Sequence, residues 1–245
     1  MSQKKVQILA GPQSEWPGFF QEFFEDTAAK TEVISDSITA AREFDRDQPA
    51  LVFYESGFST LSLFQKWKAF RTLNPGFRAY QLGDSPMGNA PFSPDACFPS
   101  GLVLGEFQRA LVKTLPFPET LHVLVTDDEP AIGQMICDFL AQQSRPSFRT
   151  DYVQNGAQAL QFLGKSWPDV LVLDVKMPLV GGIEVFRALK THERPLPVIV
   201  FFDAVFGDEI EKLHEIGHPA IIEKGSRQSE MPALLSLIKK MAFFG

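Results

Sequence analysis

The sequence predicts an α/β protein made of two tandem doubly wound units, each a five-stranded parallel sheet with helices on both faces. Three observations predict it. Apolar runs of strand length alternate with longer segments of helical period, the order expected of a parallel sheet with crossover helices. That order is traversed twice along 245 residues, a length that accommodates two ordinary domains. Two of the runs, Asp169–Val175 (which carries Asp174 near its end) and Pro197–Phe202, are apolar without alternation, as central strands covered on both faces must be.

The second half shows the pattern best. His122–Thr126 is a short apolar run. Glu129 to about Gln143 follows with Ile132, Ile136, Phe139 and Leu140 on one helical face. Pro130 stands in its first turn, where a missing N–H costs nothing. A strand over Phe148–Val153 precedes Gly156 and a helix through Ala159, Leu160 and Leu163. After the run ending in Asp174 come a helix over Gly182–Lys190, the strand Pro197–Phe202 and a helix over Glu209–Ile216. Gly217 and Pro219 close that helix, Ala220–Ile222 is a fifth strand, and Met231–Met241 is the last helix.

The first half repeats the order less cleanly. Val6–Leu9, Glu32–Ile34, Leu51–Tyr54 and Phe77–Gln81 read as strands. Pro17–Thr27, Ile38–Phe44, Leu61–Leu73 and Leu104–Leu115 read as helices. Between Gly83 and Gly101 the pattern breaks, because Pro86, Pro91, Pro94 and Pro99 exclude a regular helix, so a fourth crossover helix is missing or replaced by a loop. The matching periods read as an internal duplication with one degenerate copy. The division expected is residues 1–116, a short proline-stiffened linker at 117–120, and residues 121–245.

Composition narrows the function classes. A formal charge of -7 with no Lys/Arg cluster excludes a nucleic-acid surface, which needs clustered cations to displace counterions. The longest apolar runs are strand-sized, and Met1–Lys5 leads straight into a strand, so neither a membrane span nor a signal peptide is expected. A cytoplasmic protein follows, with Cys97 and Cys137 as separate buried thiols. The 23 phenylalanines, some paired as in Phe19-Phe20 and Phe23-Phe24, exceed what one core needs and leave room for a homodimer.

In a parallel sheet, binding groups gather at the carboxyl ends of the strands, near the point where strand order reverses. In the second half the first strand ends in Asp127-Asp128, the third in Asp174 and the fifth in Lys224. Three carboxylates converging on one spot need a divalent cation, and all-oxygen ligation suits Mg²⁺ or Mn²⁺. A cation held by acids beside a lysine is a phosphate site, with one remaining carboxylate placed to attack. The chemistry reached this way is a Mg²⁺-dependent site that makes or holds an acyl phosphate.

The segments V-L-V-T-D-D-E-P (123–130), D-V-L-V-L-D-V-K-M-P (169–178) and I-I-E-K-G (221–225) resemble the signatures of response-regulator receiver domains of two-component signalling. They stand in the right order and spacing across residues 121–245. The resemblance implies a flavodoxin-like (βα)5 receiver fold here and a degenerate pseudo-receiver in the first half. It further implies that Asp174 takes a phosphoryl group from a phosphohistidine, and that Asp128 and Asp174 ligate Mg²⁺ directly while Asp127 acts through a water. The backbone carbonyl of Lys176 would be a further ligand, and Lys224 would contact the phosphoryl group.

Some positions depart from the family. Phe202 stands where the strand-four Ser or Thr belongs, and Asp203 where a small residue follows it. A register shifted toward Ala204 supplies no hydroxyl either. Ile221 replaces the strand-five aromatic, and Gly225 replaces the proline after the lysine, which removes the residue type that favours a cis peptide there. The usual hydroxyl-plus-aromatic switch cannot operate with these residues.

The first half lacks the acid pair, reading Leu9-Ala10-Gly11-Pro12 at the end of its first strand, and no lysine stands near Phe98–Gly101. Glu55 follows Pro49 by the interval at which Asp174 follows Pro168, so it occupies the acceptor's place. It reads either as a fixed mimic of phosphoryl charge or as a solvated strand-end carboxylate. His214-Glu215-Ile216-Gly217-His218 matches the H-E-x-x-H zinc motif literally, but Gly217 and Pro219 end the helix that such a site requires. Haloacid-dehalogenase phosphatases also form an aspartyl phosphate but need a second Asp two residues on, where Lys176 stands, so an enzyme is not expected. The function expected is a response regulator without an output domain. A sensor histidine kinase or phosphotransfer protein phosphorylates it, and it signals to a downstream protein through a surface at about Asp208–Met241. The alternative is a phosphorylation-independent scaffold that uses both folds for docking.

Overall fold

A computed structural model describes residues 4–58, 60–83, 92–202, 207–224 and 230–245. The chain divides into two compact units, Met1–Pro116 and Phe117–Phe243. The first runs β1 (Lys5–Leu9), α1 (Trp16–Phe24), β2 (Lys30–Ile34), α2 (Ser37–Asp47), β3 (Leu51–Glu55), α3 (Leu61–Leu73), β4 (Arg78–Leu82), β5 (Ala96–Phe98) and α4 (Leu104–Leu111). The second runs β6 (Thr120–Thr126), α5 (Pro130–Ala141), β7 (Ser147–Val153), α6 (Gly156–Leu163) and β8 (Val170–Leu173). It continues with α7 (Gly182–Lys190), β9 (Val198–Phe202), α8 (Gly207–Ile216), β10 (Ala220–Glu223) and α9 (Glu230–Phe244). Both sheets have five parallel strands, in the orders β2-β1-β3-β4-β5 and β7-β6-β8-β9-β10. This is the flavodoxin-like architecture expected, and order reverses at β1/β3 and at β6/β8.

In the second unit the unalternating runs are explained by burial on two sides. Val123, Val125, Val170, Val172, Ile199 and Phe201 pack on α5 and α9. Leu124, Leu171, Leu173, Val198, Val200 and Phe202 pack on α6, α7 and α8. In the first unit Val52, Tyr54 and Ala79 face α2 and α3. The alternate residues Phe53 and Tyr80 stack at 5.0 Å, and Phe53 meets Phe20 of α1 and Phe107 of α4. Edge-on and tilted ring pairs fill that side, which accounts for much of the phenylalanine excess inside this unit.

The broken stretch of the first unit contains the short strand β5, which the prolines around it concealed. Among the described residues no helix lies between β4 and β5. Phe92 stacks on Phe64 and meets Trp67 edge-on, filling space beside α3. Asp95 fixes the loop by accepting from Ala79 N–H at 2.8 Å and from Arg71 at 2.6 Å. Two helices end sooner than the apolar pattern suggests. α1 stops at Phe24, where the Thr27 amide and hydroxyl both bond the Phe24 carbonyl, and α4 stops at Leu111, with Thr114 closing it in the same way. Cys97 is exposed on the edge strand β5, which corrects the expectation of a buried thiol; Cys137 is half-buried.

Candidate functional site

The strand ends of the second unit deliver the expected side chains to one rim. Thr126 pairs with Leu173 across β6 and β8, so Asp127 and Asp174 leave the sheet side by side. The Asp174 N–H donates to the Thr126 carbonyl at 2.9 Å, and the Asp127 N–H to Val153 at 3.2 Å. The Glu129 amide donates to Asp127 Oδ1 at 3.0 Å, and the Tyr152 hydroxyl donates to the Asp127 carbonyl at 2.8 Å. That second bond depends on close packing, because a Cβ at Gly133 would lie 2.1 Å from the Tyr152 ring.

Beyond β8 the chain must turn within a few residues into α7. A Cβ at Gly182 would lie 2.1 Å from the Asp174 carbonyl oxygen, so only glycine lets the helix start there. Gly156 meets the other side of the loop, donating its N–H to Val180 at 3.1 Å, and a Cβ there would lie 2.5 Å from the same oxygen. Leu179, 89% exposed, takes a φ of 71° at the apex.

Asp127, Asp128 and Asp174 each present a carboxylate oxygen within 4.8 Å of the others. Asp127 and Asp174 are 2% and 5% exposed, whereas Asp128 is exposed. Lys224, carried in by β10, places Nζ 2.9 Å from Asp127 Oδ2 and 2.9 Å from Asp174 Oδ1. Burial pushes the Asp174 carboxyl up to about 6; Lys224 opposes this, and Asp127 and Asp128 add to it. For Lys224, burial acts to lower the pKa, but the hydrogen bonds to Asp127 and Asp174 outweigh it and the net direction is upward.

One ammonium against three carboxylates leaves the rim net negative. Its hard-oxygen donor set therefore fits a divalent cation such as Mg²⁺. The other described acidic cluster, Glu32, Glu43 and Asp47, is already held by cations. Arg46 pairs with Glu43 and lies 2.8 Å from Asp47 and 3.7 Å from Glu32, and Lys5 is 2.9 Å from Asp47.

A pocket of about 220 Å³ opens beside the carboxylates, lined by Asp128, Glu129, Asp174, Val175, Lys176, Phe202, Glu209 and Lys224. Phe202 brings the apolar core to the pocket wall in the place of the family's hydroxyl, and Ile221 is half-buried against the same core. Asp203, Ala204 and Gly225 lie outside the described residues. Sequence reasoning missed Glu129 and Glu209 as pocket residues. Glu129 directly follows the acid pair and was open to inference, whereas Glu209 belongs to a helix with no motif spacing to the site.

Among the described residues the first unit has no such rim. Leu9 pairs with Tyr54 as Thr126 pairs with Leu173, so Glu55 holds the place of Asp174, and Ala10 and Gly11 hold those of the acid pair. Glu55 is half-buried and accepts from the Gly11 N–H at 2.7 Å, which corrects the picture of a purely solvated carboxylate. In α8 the helix ends at Ile216, before His218, as Gly217 and Pro219 require.

Fold and site together define a response regulator receiver domain in the C-terminal half. The family model for that domain matches residues 123–236. Over 83 residues the chain is 35% identical to a protein-glutamate methylesterase/protein-glutamine glutaminase of Clostridium acetobutylicum. That match covers 34% of this chain and 24% of the relative. The regulatory protein AtoC of Escherichia coli is 33% identical over 79 residues, covering 32% of this chain and 16% of the relative. Among solved structures, a signal receiver domain of a histidine kinase from Syntrophus aciditrophicus is 25% identical, covering 50% of this chain and 90% of that one, with a TM-score of 0.45. The matched stretch is thus a quarter or less of these two curated relatives. Among the described residues no helix is long and apolar enough to cross a membrane.

Proposed function

We propose that the C-terminal half is a working phosphoacceptor of two-component signalling, with Asp174 as the acceptor. The observation that carries this is Lys224 Nζ lying 2.9 Å from both Asp127 and Asp174 beside a carboxylate triad. An Asp174 oxygen attacks the phosphorus of a phosphohistidine on a kinase or phosphotransfer protein. The new O–P bond forms as the P–N bond breaks, and the imidazole leaves with a proton from solvent. Asp127, Asp128, Asp174 and the carbonyl of Lys176 would hold Mg²⁺ or Mn²⁺, which supplies charge neutralisation for the transferring group. Lys224 keeps its ammonium at the acceptor oxygen and is placed for the phosphoryl oxygens.

The first unit, residues 1–116, acts as a pseudo-receiver with a protein-contact role; Glu55 stands at the acceptor's rim position and is bound to Gly11. The chain works in the cytoplasm as a non-enzymatic regulator, and its product is a changed docking surface for a downstream protein. A second reading, a phosphorylation-independent scaffold, is favoured by Phe202. A charge-assisted bond worth about 1.5–3 kcal/mol is missing from the phosphorylated state. Incubation with a small phosphodonor and Mg²⁺ separates the two. The expected result is a mass gain of one phosphoryl group that disappears in Asp174→Asn; no gain in the parent protein decides for the scaffold.

A further inference from the structure

The phosphoryl pocket carries a second ion pair that the receiver signature does not specify. Lys176, two residues beyond Asp174, places Nζ 3.7 Å from Glu209 Oε2 in the first turn of α8. Both residues line the pocket. At 3.7 Å the contact is an attraction without a directional hydrogen bond, and the Lys176 side chain is 54% exposed, so the pair with Glu209 is itself a weak one. Lys224 is already engaged with Asp127 and Asp174, and Phe202 offers no donor.

We propose that Lys176 exchanges Glu209 for the phosphoryl oxygens on Asp174, and that the release of Glu209 is the signal passed to α8. The inference rests on Asp174 being the phosphoacceptor. Two forces drive the exchange in one direction. A phosphoryl group replaces the single charge of a carboxylate with about two, so it draws the ammonium more strongly than Glu209 does. The same charge repels the Glu209 carboxylate, which lines the same pocket. Lys176 thereby supplies the contact that the absent hydroxyl cannot make. The first turn of α8, tethered to the β8–α7 loop in the free protein, loses that tether in the phosphorylated one.

The test uses the full chain with Mg²⁺ and beryllofluoride as the phosphoryl probe, in a double-mutant cycle. Binding that Asp174→Asn removes establishes the acceptor; its absence in the parent protein overturns the acceptor reading and the exchange with it. Given such binding, Lys176→Gln is expected to weaken beryllofluoride by about fivefold without weakening Mg²⁺ alone. Glu209→Gln is expected to strengthen it by a similar factor, and by clearly less in the Lys176→Gln background, where only the repulsion is relieved. Amide exchange in Gly207–Ile216 should rise on beryllofluoride binding in the parent protein and stay unchanged in Lys176→Gln. If Glu209→Gln strengthens binding equally in the Lys176→Gln background, Glu209 acts by repulsion alone and the exchange is wrong. Unaltered affinity in Lys176→Gln likewise overturns it while leaving the acceptor intact.

Discussion

Asp174 is where burial and charge compete most openly. Its carboxyl is pushed up to about 6 by burial, against the pull of Lys224, so in the ion-free protein the proton is held more tightly than in the unfolded chain. The sign follows from linkage. A folded pKa raised from 3.8 contributes stability that is complete below about pH 4 and lost as pH rises through about 6. A divalent cation competes with that same proton. Mg²⁺ affinity is therefore expected to climb by up to about tenfold per pH unit below pH 6 and to flatten above it. Calorimetry in buffers of different ionisation enthalpy should detect close to one proton released per ion at pH 5 and almost none at pH 7.5. Release that does not vary with pH would contradict Asp174 as a ligand. Phe202 shows the opposite compromise. A ring packed in the α6–α8 core excludes water from the pocket wall but removes a donor that the phosphorylated state would use.

At the scale of elements, the site depends on how tightly α7 follows β8. Gly182 is the first residue of α7, and its amide donates to Val175 at 3.0 Å. With the hypothetical Cβ at 2.1 Å from the Asp174 carbonyl, Gly182→Ala cannot be absorbed by a side-chain rotation, because the obstructing atom is backbone. The variant is expected to lose about 1–3 kcal/mol of stability, read as a lower urea midpoint with an unchanged slope. Mg²⁺ affinity should fall with it, since Asp174 and the Lys176 carbonyl ride on the displaced loop. By contrast, Gly18→Ala in α1 meets nothing within 4 Å and should be neutral or slightly stabilising. The contrast tests packing geometry rather than glycine content.

For the whole molecule, the two units answer the same topology with different chemistry. Ligand linkage makes the difference measurable. At an ion concentration about 100-fold above Kd, the holding unit gains about 2.7 kcal/mol. Amide exchange should therefore slow in β6, β8 and β10 on adding Mg²⁺ and remain unchanged in β1, β3 and β4. Asp128→Asn should abolish the protection. Protection appearing at Gly11 or Glu55 would mean that the first unit binds the ion as well, against its lack of an acid pair.

Much of this was legible in the chain itself. Periodicity delimited the strands and helices of the second unit, because runs such as 170–173 are buried on both faces and admit few other readings. Asp127, Asp128, Asp174 and Lys224 were legible because strand ends in a parallel sheet converge on one rim, a consequence of topology alone. Strand β5 was not, since three residues between prolines carry no period and are held by Asp95 and Phe92 from the loop. Nor was Glu209, whose place in the pocket depends on where α8 packs, nor the bond from Gly11 to Glu55. The sequence by itself determined the alternation, the duplication and the acid–lysine set, because these follow from local period and chain order. Tertiary structure alone decided which carboxylates share Lys224, which lysine faces Glu209 and which glycines cannot be replaced. Those are distances between atoms far apart in the chain, and no local pattern encodes them.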